Sequence, residues 1–97
     1  MKILITENQL EKVIDNYINK LLKDLHENSL SSAEWINKNG ELKIYLCDSG
    51  TLTVSEDYWY DVQNVLGLKY IDVVNSFMRW AERNDYHPNF ARVTTLL

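Results

Sequence analysis

The sequence predicts an α+β domain: an N-terminal amphipathic helix and a C-terminal helical hairpin packed on one face of a three-stranded antiparallel meander. Apolar residues recur with a helical period from Leu10 to Leu25, with a period of two from Ala33 to Val54, and with the helical period again from Tyr58 to Ala81. Two glycine-containing turns, Asn39-Gly40 and Asp48-Ser49-Gly50, punctuate the middle stretch where hairpins need them. Gly67 divides the last stretch into two helices. Helix, then a run of strands, then helices is the order of an α+β fold rather than of an alternating parallel one.

Lys2 to Ile5 fits a short strand. Thr6 and Gln9 then make a T-x-x-Q capping box, with Ile5 and Leu10 at the N′ and N4 positions of a hydrophobic staple. Leu10, Val13, Ile14, Tyr17, Ile18, Leu21, Leu22 and Leu25 line one face of the helix that follows. Glu11, Lys12, Asp15, Asn16, Asn19, Lys20, Lys23 and Asp24 line the other. The predicted helix spans Thr6–Glu27. Its stripe lasts about three heptads, near the lower limit for a coiled-coil seam, so packing on the chain's own sheet is the better reading.

Asn28 to Ser32 is a polar break. A two-residue Asn39-Gly40 turn sets Ala33 opposite Leu46, Trp35 opposite Ile44 and Asn37 opposite Leu42. That gathers Trp35, Leu42, Ile44 and Leu46 on one face and leaves Lys43 and Tyr45 on the other. In the next turn, a two-residue Ser49-Gly50 loop throws Leu52 and Val54 onto the Lys43 face. A three-residue loop, Asp48 to a left-handed Gly50, sets Leu52 opposite Leu46 and Val54 opposite Ile44. Burial of one face specifies register, so the three-residue loop is predicted.

Ser55 is a natural N-cap for the next helix, and Glu56 and Asp57 place negative charge at its positive end. Tyr58, Trp59, Val62, Val65 and Leu66 form its apolar face. Gly67 fits the left-handed C′ position, with Leu68 closing a Schellman ending. Tyr70, Ile71, Val74, Phe77, Met78 and Ala81, flanked by Val73 and Trp80, form the apolar face of the second helix. Pro88 biases His87 away from helix. Arg92–Leu97 fits a short strand or an irregular arm, whose Val93, Leu96 and Leu97 are apolar enough to dock. The predicted core is Leu10, Ile14, Ile18, Leu21, Trp35, Leu42, Ile44, Leu46, Val62, Leu66, Val74 and Phe77.

Ninety-seven residues, 45% hydrophobic and 25% charged, are the makings of one globular domain, 1–97. No apolar run is long enough to cross a bilayer, and the opening MKILITENQ lacks the apolar core of a signal peptide. The chain is therefore expected to stay in the compartment where it is made. A single cysteine, Cys47, forms no intrachain disulfide and reads as a small core residue. Residues 1–68 carry 6 Lys+Arg against 11 Asp+Glu, or −5, and residues 69–97 carry 4 against 3, or +1. This balance suits a basic protein partner and disfavours free nucleic acid, whose phosphates need clustered cations. No membrane partner is expected, while self-association is compatible with the composition.

Catalytic and ligand-binding patterns are missing from the sequence. His26, His87 and Cys47 lie in three different elements without paired spacing, so neither a metal site nor a nucleophile–base pair is expected. All three glycines are used by turns or a cap, which leaves no phosphate-cradling loop. Glu56, Asp57 and Asp61 read as helix-terminal charge rather than paired catalytic carboxylates. A helix-turn-helix around Gly67 is weighed as a DNA-binding alternative. Its reading helix would expose Lys69, Asp72, Asn75, Ser76, Arg79, Glu82 and Arg83. Asp72 and Glu82 oppose phosphate contact, and Gln63 stands where the tight helix approach wants a small residue. A plain helical hairpin on a sheet is preferred.

The opening MKILITENQLEKVI resembles a start, M-K-I-x-I-T-E-x-Q, found in small proteins of tailed bacteriophages of marine and flavobacterial hosts. The later run LTVSEDYWYDVQNVLGLKYIDVVNSFMRWAE is similar in layout to the C-terminal part of some of them. The resemblance implies a phage origin and a place in the host cytoplasm or the virion. It supplies no catalytic, cofactor or metal residues. The expected function is therefore a non-enzymatic phage protein that binds and modulates or inhibits a host protein, such as a defence nuclease or polymerase. A minor virion or assembly component is the alternative. Tyr60, off the apolar face beside Asp57 and Asp61, and Tyr45, on the sheet face opposite Trp35, are the expected interface anchors. Glu56, Asp57 and Asp61 are expected to ring Tyr60 with charge that steers a basic partner.

Overall fold

The computed structural model describes residues 7–28 and 33–95, with the backbone alone for Glu7 and Asn8. The expected strand over Lys2–Ile5, the cap and staple at Thr6 and Ile5, most of the 28–32 break, and the docking of Leu96 and Leu97 lie outside those residues. The elements are α1 (Glu7–Leu21), β1 (His26–Glu27), β2 (Glu34–Ile36), β3 (Leu42–Leu46), β4 (Thr51–Ser55), α2 (Glu56–Leu66), α3 (Tyr70–Arg83) and β5 (Phe90–Thr94). The class is α+β. Among the described residues, no helix is long and apolar enough to cross a membrane.

The sheet is larger than the three-stranded meander expected. It has five strands in the order β1-β2-β3-β4-β5. The first four pair antiparallel, and β5 runs parallel to β4. β1 exists because α1 stops at Leu21 rather than reaching Glu27. The chain turns through Leu22–Leu25, with Leu25 N–H donating to Leu22 O at 3.0 Å, and His26 and Glu27 pair with Ile36 and Trp35. Leu22 and Leu25 keep the helical spacing without being helical, because both still pack on the core from the turn. β5 settles the arm left open between strand and irregular structure. Parallel pairing demands a crossover connection, and α2 with α3 supplies it.

Both hairpins use the same three-residue loop. In the second, Gly50 (φ 90) donates to Cys47 O at 2.9 Å, with Leu52 opposite Leu46 and Val54 opposite Ile44, as expected. The first departs from the two-residue expectation. Gly40 (φ 78) donates to Asn37 O at 3.0 Å, and Asn37 N–H donates to Glu41 O at 3.0 Å, so the loop is Lys38-Asn39-Gly40. The Asn37 side chain explains this: its Oδ1 accepts the N–H groups of Asn39 and Glu41, both at 2.9 Å. That change would shift every pair by one residue. A bulge corrects it, with Ile36 opposite Leu42, Trp35 opposite Ile44, and Lys43 as the extra residue. Leu42 thus faces Ile36 rather than Asn37.

One contiguous core joins the helices to one face of the sheet, from Ile14 and Ile18 of α1 and Leu22 just beyond it to Trp59, Val62, Val74 and Phe77 and down to Trp35, Ile44, Leu52, Val54 and Ala91. Leu10 does not belong to it; it is 44% exposed. Leu21, Leu46 and Leu66 pack only at its edge, and Leu42 is half-buried without belonging to it. Val13, Val65, Tyr70 and Ile71, which share the expected apolar faces, are also exposed. The reason is geometric: α1 lies beside α2 and α3, so each buries a narrow stripe rather than a wide face. Asp15 pairs with Arg79 at 2.9 Å and Arg83 at 3.4 Å across the α1–α3 seam. Partly exposed pairs are worth roughly 0.2–1 kcal/mol, against about 1.5–3 kcal/mol for burying an Ile, so Ile14 and Ile18 dominate that seam.

The α2–α3 turn is the expected one. Gly67 is left-handed (φ 62), and both it and Leu68 donate to Gln63 O. The surface expected of a helix-turn-helix reading helix is only partly free. Ser76 is fully buried with its hydroxyl on Val73 O at 2.7 Å, and Arg79 and Arg83 are occupied by Asp15.

Candidate functional site

The outer face of α2 carries Tyr60, 45% exposed, one helical turn after the exposed Glu56. The expected acidic ring around it divides in two. Glu56 faces solvent. Asp57 and Asp61 face solvent less freely, because each is tied to another element. Asp57 meets the Lys43 ammonium at 3.3 Å and accepts the Ser55 hydroxyl. Partial burial pushes the Asp57 carboxyl up, but Ser55, Lys43 and the Tyr58 N–H together outweigh it and hold it below the usual aspartate value. Ser55 therefore spends its hydroxyl on Asp57 and makes no side-chain capping bond of its own. Asp61 accepts the Tyr17 hydroxyl from α1. That bond, then burial, then the carboxylate charge raise the Tyr17 phenol above its ordinary value.

Tyr45 lies apart from Tyr60. It stands on the sheet face turned away from the helices, between Glu34 of β2 and Thr53 of β4. Thr53 in turn is opposite Arg92 of β5, whose Nε donates to Thr53 Oγ1 at 3.2 Å. Cys47 Sγ lies 3.5 Å from the same hydroxyl, so the cysteine is a half-buried residue just past the end of β3 rather than a core one. Lys43, reaching Asp57, is the link between this face and α2. Sequence reasoning placed Tyr45 here but missed Thr53 and Arg92. The polar–apolar alternation Arg92-Val93-Thr94, with two β-branched residues, was the available sign of a strand.

A cleft of about 500 Å³ opens where the ends of α1 and α3 meet β1 and β2. Trp35 and Trp80 form its floor, with ring centroids 5.1 Å apart and edge to face. Lys23, Glu27, Asn19 and Arg83 stand around it. Arg83 is held by Asp15 and by Asn19 Oδ1 at 2.8 Å, and Glu27 accepts the Tyr86 hydroxyl, which raises that phenol above its ordinary value. Three of the four groups, Asn19, Arg83 and Glu27, are thus engaged within the fold. Among the described residues, no three His, Cys, Asp or Glu side chains form a group able to hold a metal ion. Comparison with known protein families, characterised proteins and solved structures finds no match to the chain.

Proposed function

We propose that the chain is a small acidic phage protein that binds and modulates a host protein through a basic surface on that protein. The observation that carries the reading is the exposed Tyr60 beside Glu56 and Asp57 at the start of α2. A tyrosine there offers contact area at little cost in side-chain entropy, and the acidic excess of residues 1–68 attracts a basic partner. The likeness of its opening residues to phage proteins supports the setting. Engagement of Asp57 by Lys43 and of Asp61 by Tyr17 makes Glu56 the residue through which charge is tested without disturbing the fold.

The experiment is a pull-down with the tagged chain from host lysate at low and high salt. One host protein retained at low salt and released at high salt is the expected result. With that protein in hand, Glu56→Lys slows association and weakens its salt dependence, whereas Tyr60→Ala speeds dissociation by removing buried contact. Unchanged kinetics in both variants would move the interface off α2. Recovery of the chain in purified particles instead of with a host protein would replace this reading with a virion role.

A further inference from the structure

One face of the five-stranded sheet is turned away from the described helices; on it Thr53 is fully buried, Glu34 and Tyr45 are half-buried, and Arg92 is exposed. Core side chains alternate toward the helices, so Glu34, Tyr45, Thr53 and Arg92 form a row on the other side, each directly opposite the next across β2, β3, β4 and β5. Two residues before Arg92 on the same face, Phe90 is 42% exposed. The row ends in a carboxylate on one side and a guanidinium on the other. Three strand spacings, about 14 Å, separate them, so the two charges do not meet within one chain. Glu34 receives one amide N–H of Asn28 at 3.3 Å, and Arg92 Nε donates to Thr53 Oγ1 at 3.2 Å.

We propose that this face packs against the same face of a second copy of the chain. The charge arrangement selects the geometry. A two-fold axis parallel to the strands, between β3 and β4, lays Glu34 over Arg92 of the second copy at both ends of the row. Thr53 is fully buried and adds no contact, so the half-buried Tyr45 of each copy fills the middle. An axis across the strands would set Glu34 on Glu34 and Arg92 on Arg92, which like-charge repulsion opposes. Facing sheets pack about 10 Å apart with strands within about 30° of one another, a gap that a glutamate and an arginine span together. Most side chains on the face are polar and the four strands are short. The association is therefore a weak, reversible one rather than an obligate interface.

The test is sedimentation of the full chain from about 1 μM to about 1 mM, a range that brackets weak dimerisation. The wild-type mass should rise from monomer toward dimer with concentration. E34R and R92E should each weaken self-association by about tenfold or more, while far-UV circular dichroism stays that of the wild type. An E34R chain has arginine at both ends of the row and an R92E chain has glutamate at both ends. An equimolar mixture of the two should therefore recover dimer, as should the E34R/R92E double variant. A wild type that stays monomeric throughout overturns the proposal. So do single reversals that dimerise like the wild type, and so does a mixture that fails to associate. A monomeric wild type that binds oligonucleotides or a basic protein through this face overturns it in favour of that occupant.

Discussion

Trp59 is fully buried in a stack, with its ring 5.4 Å from Phe77 at 13° and 5.5 Å from Tyr70. Trp59→Ala should cost about 3–5 kcal/mol, read as a fall in urea midpoint at unchanged slope. A cost under about 1 kcal/mol would contradict the burial. Ile18, at 0% exposure, should behave similarly, at about 2–5 kcal/mol for Ile18→Ala. Leu21, only partly buried at the end of α1, should cost less than Ile18 in the same comparison. Tyr17 gives a pH test. Its phenol is raised above 10.0 in the folded chain, by its bond to Asp61 before all else, so the unfolded chain loses that proton first. The bond's contribution is complete below the unfolded value and disappears as the pH rises through the folded one. Tyr17→Phe should therefore flatten the loss of stability on going from about pH 9 to about pH 11. An unchanged slope would mean that the Asp61 bond does not bias the phenol.

The two hairpin loops share a geometry but differ in their surroundings. A Cβ at Gly40 would meet nothing within 4 Å, whereas one at Gly50 would lie 2.4 Å from Asn89 Nδ2. Both positions have positive φ, which costs roughly 1–2 kcal/mol for a residue with a side chain. Gly50→Ala should exceed Gly40→Ala, because it also disturbs the seam where Asn89 N–H donates to Gly50 O at 2.7 Å, just ahead of β5. Equal losses would show that β5 does not depend on this loop. The same loops show what a sequence can reveal. The β3–β4 register was legible, because only one loop length puts Leu52 and Val54 on the face of Leu46 and Ile44. The β2–β3 loop was not, because Asn39-Gly40 satisfies two turn types and only the Asn37 side chain separates them. The pairing of β5 was illegible for another reason: its partner lies beyond two helices, and no local pattern encodes a parallel neighbour. On the candidate site, exposure of Tyr60 was legible from the helical period, whereas the capture of Asp61 by Tyr17 joins residues 44 apart and was not.

Across the whole molecule six aromatic side chains form two groups joined by one helix. Trp35 meets Trp80 and Tyr86 edge to face at 5.1 and 5.0 Å, while Trp59 stacks against Phe77 and Tyr70. Trp80 and Phe77 both belong to α3, and the core continues without interruption between the two groups. A core shared in this way should melt as a unit, since neither group retains its packing once α3 leaves the sheet. The three tryptophans allow each end to be watched separately. In Trp59→Phe, fluorescence reports Trp35 and Trp80 where α3 meets β2; in a Trp35→Phe, Trp80→Phe double variant it reports Trp59 where α2 meets α3. Within each variant, the fluorescence transition in urea should coincide with the far-UV circular dichroism transition in midpoint and slope, at about 1–3 kcal/mol per molar urea. The variants differ in stability, so the comparison belongs inside each one and not between them. An earlier fluorescence transition in Trp59→Phe alone would mean that β1, β2 and the end of α3 open before the rest. The chain would then consist of two cooperative units rather than one domain, with the cleft over Trp35 and Trp80 in the less stable of the two.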